Sequence, residues 1–341
     1  MRYIIVGAGA IGGVIGSRLH EHGHDVILVA RGDNYRALLE SGLRVQSPEG
    51  EVHSMIPVVA KVSEIVFALD DVVVLAVKGQ DTLAIMRELS AVAPTTTAIV
   101  CAQNGVENER VALRHFPNVY AMCVICPSAH LSPGVVQVYA GPKAGVFDLG
   151  RWPFGTDATA EAIAADLESS QITAVARSDI ASLKWGKLLS NIHNSIEALC
   201  GPGNGRELSR RVRDESRTVL TSAGIDVTEA ERVAKERFAL VEHHEVADHP
   251  RGGGSSWQSL ARESGDIESD YLNGEMVLLG RLHGVATPVN ELLQLRANEH
   301  ARRREAPGTV DESGLLDVLN ESSESFASNN SRSSGDQIHR S

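Results

Sequence analysis

The chain opens on Met1-Arg2-Tyr3-Ile4-Ile5-Val6-Gly7-Ala8-Gly9-Ala10-Ile11-Gly12-Gly13, and this stretch decides the fold. Arg2 to Val6 reads as a buried parallel strand that ends in Gly7-x-Gly9-x-x-Gly12. Between a strand and a helix that spacing is the dinucleotide fingerprint. Gly7 permits the tight turn, Gly9 lets a pyrophosphate approach the backbone, and Gly12 lets helix and strand pack closely. Ile11, Val14, Ile15 and Leu19 follow at helical spacing, and Asp25-Val26-Ile27-Leu28-Val29 closes the βαβ unit. Gly7, Ala8, Gly9, Ala10, Ile11 and Gly12 are therefore the candidate diphosphate cradle, aided by free amides at the helix N-terminus. The second strand runs into Val29-Ala30-Arg31-Gly32. An NAD site places Asp or Glu there for the ribose hydroxyls, whereas a guanidinium pairs bidentately with a 2′-phosphate. Arg31 thus predicts NADP(H), with Asp33 leaving NAD open.

Composition bounds the rest. With 341 residues, 43% apolar and 22% charged, the chain can build two domains with proper cores. A net charge of −12 argues against nucleic acid as a partner. No apolar run reaches a membrane-spanning length of about 18 residues, and the first residues already read as fold, so neither a membrane span nor a secretion signal is expected. The four cysteines read as free thiols in a reducing compartment, which predicts a cytoplasmic protein. Cys123-x-x-Cys126 has no second pair for zinc, and His244-Glu-x-x-x-His249 misses the zinc-protease spacing, so no metal site is expected.

Strands and helices alternate to about residue 175. The runs Asp70–Val77, Thr97–Ala102, Val119–Ile125, Val135–Tyr139 and Gly145–Gly150 all read as strands. From Asp179 the pattern becomes helical: Ile180, Leu183, Leu188, Ile192, Ile196 and Leu199 predict one helix that stops at Gly201-Pro202-Gly203. Further helices are expected over 206–223, 228–246 and 268–283. The domains follow as 1–177, a Rossmann-type doubly wound α/β sheet that binds the dinucleotide; 178–305, an all-α substrate and catalytic domain; and 306–341, a serine-rich disordered tail.

Ligands of open α/β sheets bind outside the carboxyl ends of the strands. Lys78 and Asn104 fall there, where a solvated lysine and a plain turn are the competing readings. In the helix from Ile180, Lys187, Asn191 and Asn194 share one face about 60° wide. One cation and two amides on an otherwise apolar helix suggest a pocket wall, since asparagine is a poor mid-helix residue.

These pieces, in order, give the chain its resemblance to the ketopantoate reductase (2-dehydropantoate 2-reductase) family. They are the glycine loop, Val77-Lys78, Gln103-Asn104-Gly105, Lys184-Trp185-Gly186-Lys187-Leu188-Leu189-Ser190-Asn191, Ser255-Ser256 and Glu268-Ser269-Asp270-Tyr271-Leu272-Asn273-Gly274. The resemblance implies NADPH-dependent reduction of a small 2-oxo acid, with a helical second domain like that of 6-phosphogluconate dehydrogenase relatives. It implies Lys187 as general acid and Glu268 as its charged partner and a substrate or ribose ligand. Asn191, Asn194 and Ser256 would orient the substrate, and Lys78 and Asn104 would line the cofactor cleft. Partners then reduce to the 2-oxo acid, with a homodimer left open. Three departures fall at or near the substrate side. Ser195 stands where the family has its second helix asparagine, with Asn194 one place earlier. Gly252-Gly253-Gly254 replaces an asparagine before the serine pair, and Leu260 stands where an acidic residue is usual. They leave open a family member acting on another 2-oxo or 2-hydroxy acid, such as a D-2-hydroxy acid dehydrogenase; a non-catalytic NADP(H)-sensing protein is a further alternative, since dinucleotide folds also serve as binding modules.

Overall fold

The computed structural model describes residues 1–246 and 249–321. The strands are β1 (Arg2–Val6), β2 (Asp25–Val29), β3 (Leu43–Ser47), β4 (Gly50–Ser54), β5 (Val58–Val59), β6 (Asp71–Leu75), β7 (Ala98–Cys101), β8 (Val119–Ile125), β9 (Ser128–Ser132), β10 (Val135–Val138) and β11 (Val146–Arg151). The α-helices are α1 (Ala10–Glu21), α2 (Gly32–Ser41), α3 (Thr82–Val92), α4 (Glu107–Leu113), α5 (Ala158–Ser169), α6 (Ile180–Asn191), α7 (Asn194–Cys200), α8 (Arg206–Ser222), α9 (Thr228–Phe238), α10 (Ser255–Ala261), α11 (Asn273–His283) and α12 (Pro288–Arg302).

The main sheet runs β11-β8-β7-β6-β1-β2-β5. It is parallel apart from β11, which lies antiparallel to β8 at the edge. This is the doubly wound order expected from the glycine loop. Side chains alternate between two cores: Tyr3, Ile5, Val72 and Val74 pack with α1, while Ile4, Val6, Val73 and Leu75 pack with Met86 and Leu89 of α3. Burial on both faces is why these strands read as unbroken apolar runs.

A smaller sheet, β4-β3-β10-β9, was not foreseen. The strand expected over 135–139 forms, but it pairs parallel with β3 and antiparallel with β9 in this second sheet. The helix expected from 180 to 199 is broken: α6 ends at Asn191 and α7 starts at Asn194. The Ile192 carbonyl, which a continuous helix would use, instead accepts the Asn273 side-chain amide at 3.1 Å. Asn194 therefore does not continue the helical face of Lys187 and Asn191.

The chain divides into two compact units, residues 1–191 with 224–252, and residues 192–223 with the chain from Gly253 onward. α6 and α9, which follow the division expected at 177/178, are built into the first unit. Ile180 and Leu183 of α6 share an apolar cluster with Ala121 and Cys123 of β8 and Val233 of α9. A Cβ on Gly186 would stand 2.9 Å from that of Ala230, so glycine allows the two helices to approach. In the second unit, α7, α10 and α12 surround Ala198, Leu260, Ile267, Ala297 and Ala301.

The expected disorder from 306 is corrected over 306–321. The Gly308 and Val310 amides donate to the Ala198 and Leu199 carbonyls at 3.0 and 2.9 Å. Residues 312–321 are helical and bury Leu315 and Leu319. The remainder of the expected tail, 322–341, lies outside the described residues. Among the described residues no helix is long and apolar enough to cross a membrane. All four cysteines are free thiols, and Cys126 alone among them is partly exposed.

Candidate active site

Register decides what meets at the carboxyl edge of the main sheet. Val29, Val6, Leu75 and Cys101 are successive ladder partners across β2, β1, β6 and β7. Residues leaving these strands emerge side by side: Arg31 after β2, Gly7 after β1, Lys78 after β6 and Asn104 after β7. The four sequence-predicted positions thus share one edge of the first unit, the region where open α/β sheets take ligands.

The glycines differ in what requires them. Gly7 has φ +101°, and a Cβ there would lie 2.8 Å from the Ala76 carbonyl carbon. A Cβ on Gly12 would come within 2.1 Å of the Gly7 carbonyl oxygen. Both are demanded by the chain's own packing. Gly9 is not: its φ is −87°, and a Cβ there would meet nothing within 4 Å. Gly9 heads α1, whose first turn (Ala10, Ile11, Gly12) has no side-chain cap and no acidic residue. Open space over uncapped amides fits a diphosphate. The Ala8 carbonyl accepts the Asn34 side-chain amide at 2.8 Å, and Asn34 Oδ1 accepts the Gly134 amide at 2.8 Å. Asn34, missed by sequence reasoning, therefore braces the glycine turn. Gly9→Ala is expected to leave the melting temperature near that of the parent while weakening dinucleotide binding about tenfold, or about 1.4 kcal/mol. Thermal melts and fluorescence titration with NADPH check this. Gly12→Ala is expected to cost about 1–3 kcal/mol of stability by overpacking.

Arg31 is 80% exposed on its side chain and pairs with Asp81 at 2.7 Å. Asp81 belongs to the single turn of 3₁₀ helix, Gly79–Asp81, that Lys78 initiates; the Lys78 carbonyl accepts the Asp81 amide at 2.9 Å. The ion pair is a solvated one that a phosphate can replace at small cost.

Lys187 and Asn104 are brought together. The Lys187 ammonium donates to Asn104 Oδ1 at 2.8 Å. One turn earlier on α6, Lys184 is 2% exposed; it donates to the Gln103 carbonyl at 2.5 Å and pairs with buried Glu109 at 2.9 Å. Burial pushes the Glu109 carboxyl up from its ordinary range, and the Lys184 ammonium pulls against that rise. The Gln103 side-chain amide donates to the Val77 carbonyl and to Thr82 Oγ1, and the Asn108 amide holds the Asn104 carbonyl at 2.9 Å. Sequence reasoning missed Lys184 and Glu109 as members of this group. A second lysine one turn before Lys187 was the available signal for the first, whereas nothing local marks Glu109. Asn191 closes α6, one turn beyond Lys187, half-buried.

The remaining predicted residues belong to the second unit. Asn194 opens α7 half-exposed, with Oδ1 3.9 Å from where a Gly254 Cβ would stand. Ser195 is fully buried and donates to Asn273 Oδ1 at 2.6 Å, with Ser269 Oγ at 3.2 Å, so its hydroxyl is used inside the core. That leaves Asn194 as the ligand candidate of the two. The Gly254 amide donates to Glu197 Oε2 at 3.0 Å, and a Cβ on Gly254 would come 2.6 Å from the same oxygen. A Cβ on Gly253 would strike the Trp257 ring at 2.5 Å. Of the glycines before the serine pair, Gly253 is therefore set by packing against Trp257. Leu260 packs in the apolar cluster with Ala198, Ile267, Ala297 and Ala301. Ser256 is 1% exposed, and its hydroxyl has no hydrogen-bond partner among the described residues. Glu268, 5% exposed, begins the 3₁₀ turn Glu268–Tyr271.

Comparison with known proteins identifies the family and the fold. The 2-dehydropantoate 2-reductase of Archaeoglobus fulgidus is 30% identical over 303 residues, covering 86% of this chain and 95% of the relative. Two solved structures share the fold. One is a PanE/ApbA family ketopantoate reductase from Ralstonia eutropha, with TM-score 0.73, 24% identity, and coverage of 89% of this chain and 99% of that one. The other is a D-mandelate dehydrogenase solved with NADH and anilino(oxo)acetate, with TM-score 0.76, 22% identity and the same coverage. The family models for ketopantoate reductase PanE/ApbA and for its C-terminal part match residues 3–153 and 179–299. The chain belongs to the ketopantoate reductase family of oxidoreductases.

Proposed function

We propose that the protein reduces ketopantoate, a small branched 2-oxo acid, to D-pantoate, with NADPH as reductant and Lys187 as general acid. The observation that carries this reading is the Lys187 ammonium held 2.8 Å from the Asn104 carboxamide at the carboxyl edge of a glycine-loop sheet. NADPH, when bound, supplies the hydride. Hydride arriving at a ketone carbon leaves negative charge growing on the oxygen, and an ammonium placed there stabilises that charge and donates the proton. Asn104 accepts from Lys187 and carries no charge, so it orients the ammonium without forming an ion pair with it. The glycine loop and α1 amides hold the diphosphate, Lys78 lines the same edge, and Arg31 takes the 2′-phosphate.

Asn191, Asn194 and Ser256 are assigned to orienting the substrate. The unpartnered Ser256 hydroxyl supports its part, because a buried hydroxyl without a partner costs free energy until a ligand supplies one. Glu268 is assigned as the catalytic carboxylate that accepts from the substrate hydroxyl. A sensor would need neither Lys187 nor Glu268. The test follows NADPH absorbance with ketopantoate in wild type and Arg31→Glu. Wild type is expected to turn over. The variant is expected to lose about 10–100-fold in kcat/KM for NADPH, the worth of one charge-assisted pair, and little for NADH. Equal loss with both cofactors, or none, would remove Arg31 from cofactor choice, and no turnover by wild type would remove the reaction.

A further inference from the structure

We propose that Lys184 is a positioning residue: paired with Glu109, it fixes the Gln103–Asn104 backbone against α6 so that the Asn104 carboxamide receives the Lys187 ammonium. This rests on the general-acid reading of Lys187, and the test below separates the two.

Two lysines one turn apart on α6 grip consecutive residues of one loop. Lys184 takes the Gln103 carbonyl at 2.5 Å, and Lys187 takes Asn104 Oδ1 at 2.8 Å. Residues three apart lie on the same side of a helix, so both bonds depend on one helix–loop spacing. The loop has other ties, but they run elsewhere: the Gln103 side chain to the Val77 carbonyl and Thr82, and the Asn104 carbonyl to Asn108. Lys184 is the tie between α6 and the loop backbone. Stability is a poor account of it, because replacing a buried ion pair with well-packed apolar residues is often neutral or stabilising. An apolar pair, however, has no donor for the Gln103 carbonyl. Glu109 pairs with the Lys184 ammonium inside the unit, and the ammonium donates to the carbonyl.

The test uses the full chain with Lys184→Met and Glu109→Gln together, so that no lone charge stays buried. Two readouts are taken: kcat with NADPH and ketopantoate at saturation, and the rate at which acetic anhydride acylates Lys187, followed by peptide mass spectrometry. The paired variant is expected to keep its KM for NADPH and to lose kcat by about 10–100-fold, the scale of a misplaced catalytic group. Acylation of Lys187 should rise several-fold, as in Asn104→Ala. A merely structural role would lower the melting temperature and leave both readouts at wild-type values; that result would overturn the proposal. If wild type reduces no 2-oxo acid, the reaction reading fails and Lys187 acylation alone decides the positioning role. Should the paired variant not fold, Lys184→Leu with Glu109→Leu, which likewise leaves no donor from α6 for the Gln103 carbonyl and no buried charge, is read against the same criteria.

Discussion

Lys187→Ala is expected to lower kcat by about 10³-fold while leaving NADPH affinity nearly unchanged, the loss typical of removing a general acid that also faces developing negative charge. The two effects separate because the proposed diphosphate cradle draws on the glycine loop and α1, not on α6. Lys187→Arg should not restore the rate. A guanidinium keeps its proton at any working pH, and its planar fork does not reproduce the single donor aimed at Asn104. Stopped-flow NADPH absorbance with saturating ketopantoate gives kcat, and fluorescence titration gives affinity. Turnover undiminished in Lys187→Ala would end the general-acid assignment, while a parallel loss of NADPH binding would show that the lysine holds the cofactor instead.

Glu109→Ala should be the most destabilising of the substitutions considered. It strands the Lys184 ammonium at 2% exposure without its counter-charge. Breaking a buried pair from one side costs about 3–5 kcal/mol, a large share of the stability of an ordinary domain. The Lys184→Met, Glu109→Gln pair should recover most of that stability, because the unpaired charge and not the lost attraction carries the cost. Urea denaturation of the single and paired variants checks the ordering. A Glu109→Ala variant as stable as the parent would mean that the ammonium finds water or another acceptor, and that the pair is not closed.

Local signals were legible in the sequence. The glycine loop, the apolar strands of the main sheet and the first three turns of the helix with Lys187 each show within a window of a dozen or so residues, and these formed where expected. What could not be read depends on partners far along the chain. The break between α6 and α7 follows from the Asn273 amide taking the Ile192 carbonyl from 81 residues away. Glu109 meets Lys184 across 75 positions, and no local pattern records that distance. The second sheet rests on β3 pairing with β10, a parallel contact that hairpin signals do not announce. The assignment of α6 and α9 to the first unit rests on the Gly186–Ala230 approach, and one glycine inside a helix does not say what it approaches. The segment 306–321 was misread for a simpler reason. Its apolar signal is short (Val310, Leu315, Leu316, Val318 and Leu319, of which Leu315 and Leu319 are one turn apart and buried), beside a serine-rich run that dominated the composition.

The central claim is that this chain is an NADPH-dependent reductase whose preferred substrate is ketopantoate. It is tested most directly by offering the protein NADPH with equal concentrations of ketopantoate, 2-oxoisovalerate, pyruvate and benzoylformate in one vessel and quantifying the hydroxy acids by mass spectrometry. Pantoate as the dominant product, formed in step with NADPH loss, is the predicted result. Dominance of any other hydroxy acid, or NADPH bound and left unconsumed, would contradict it.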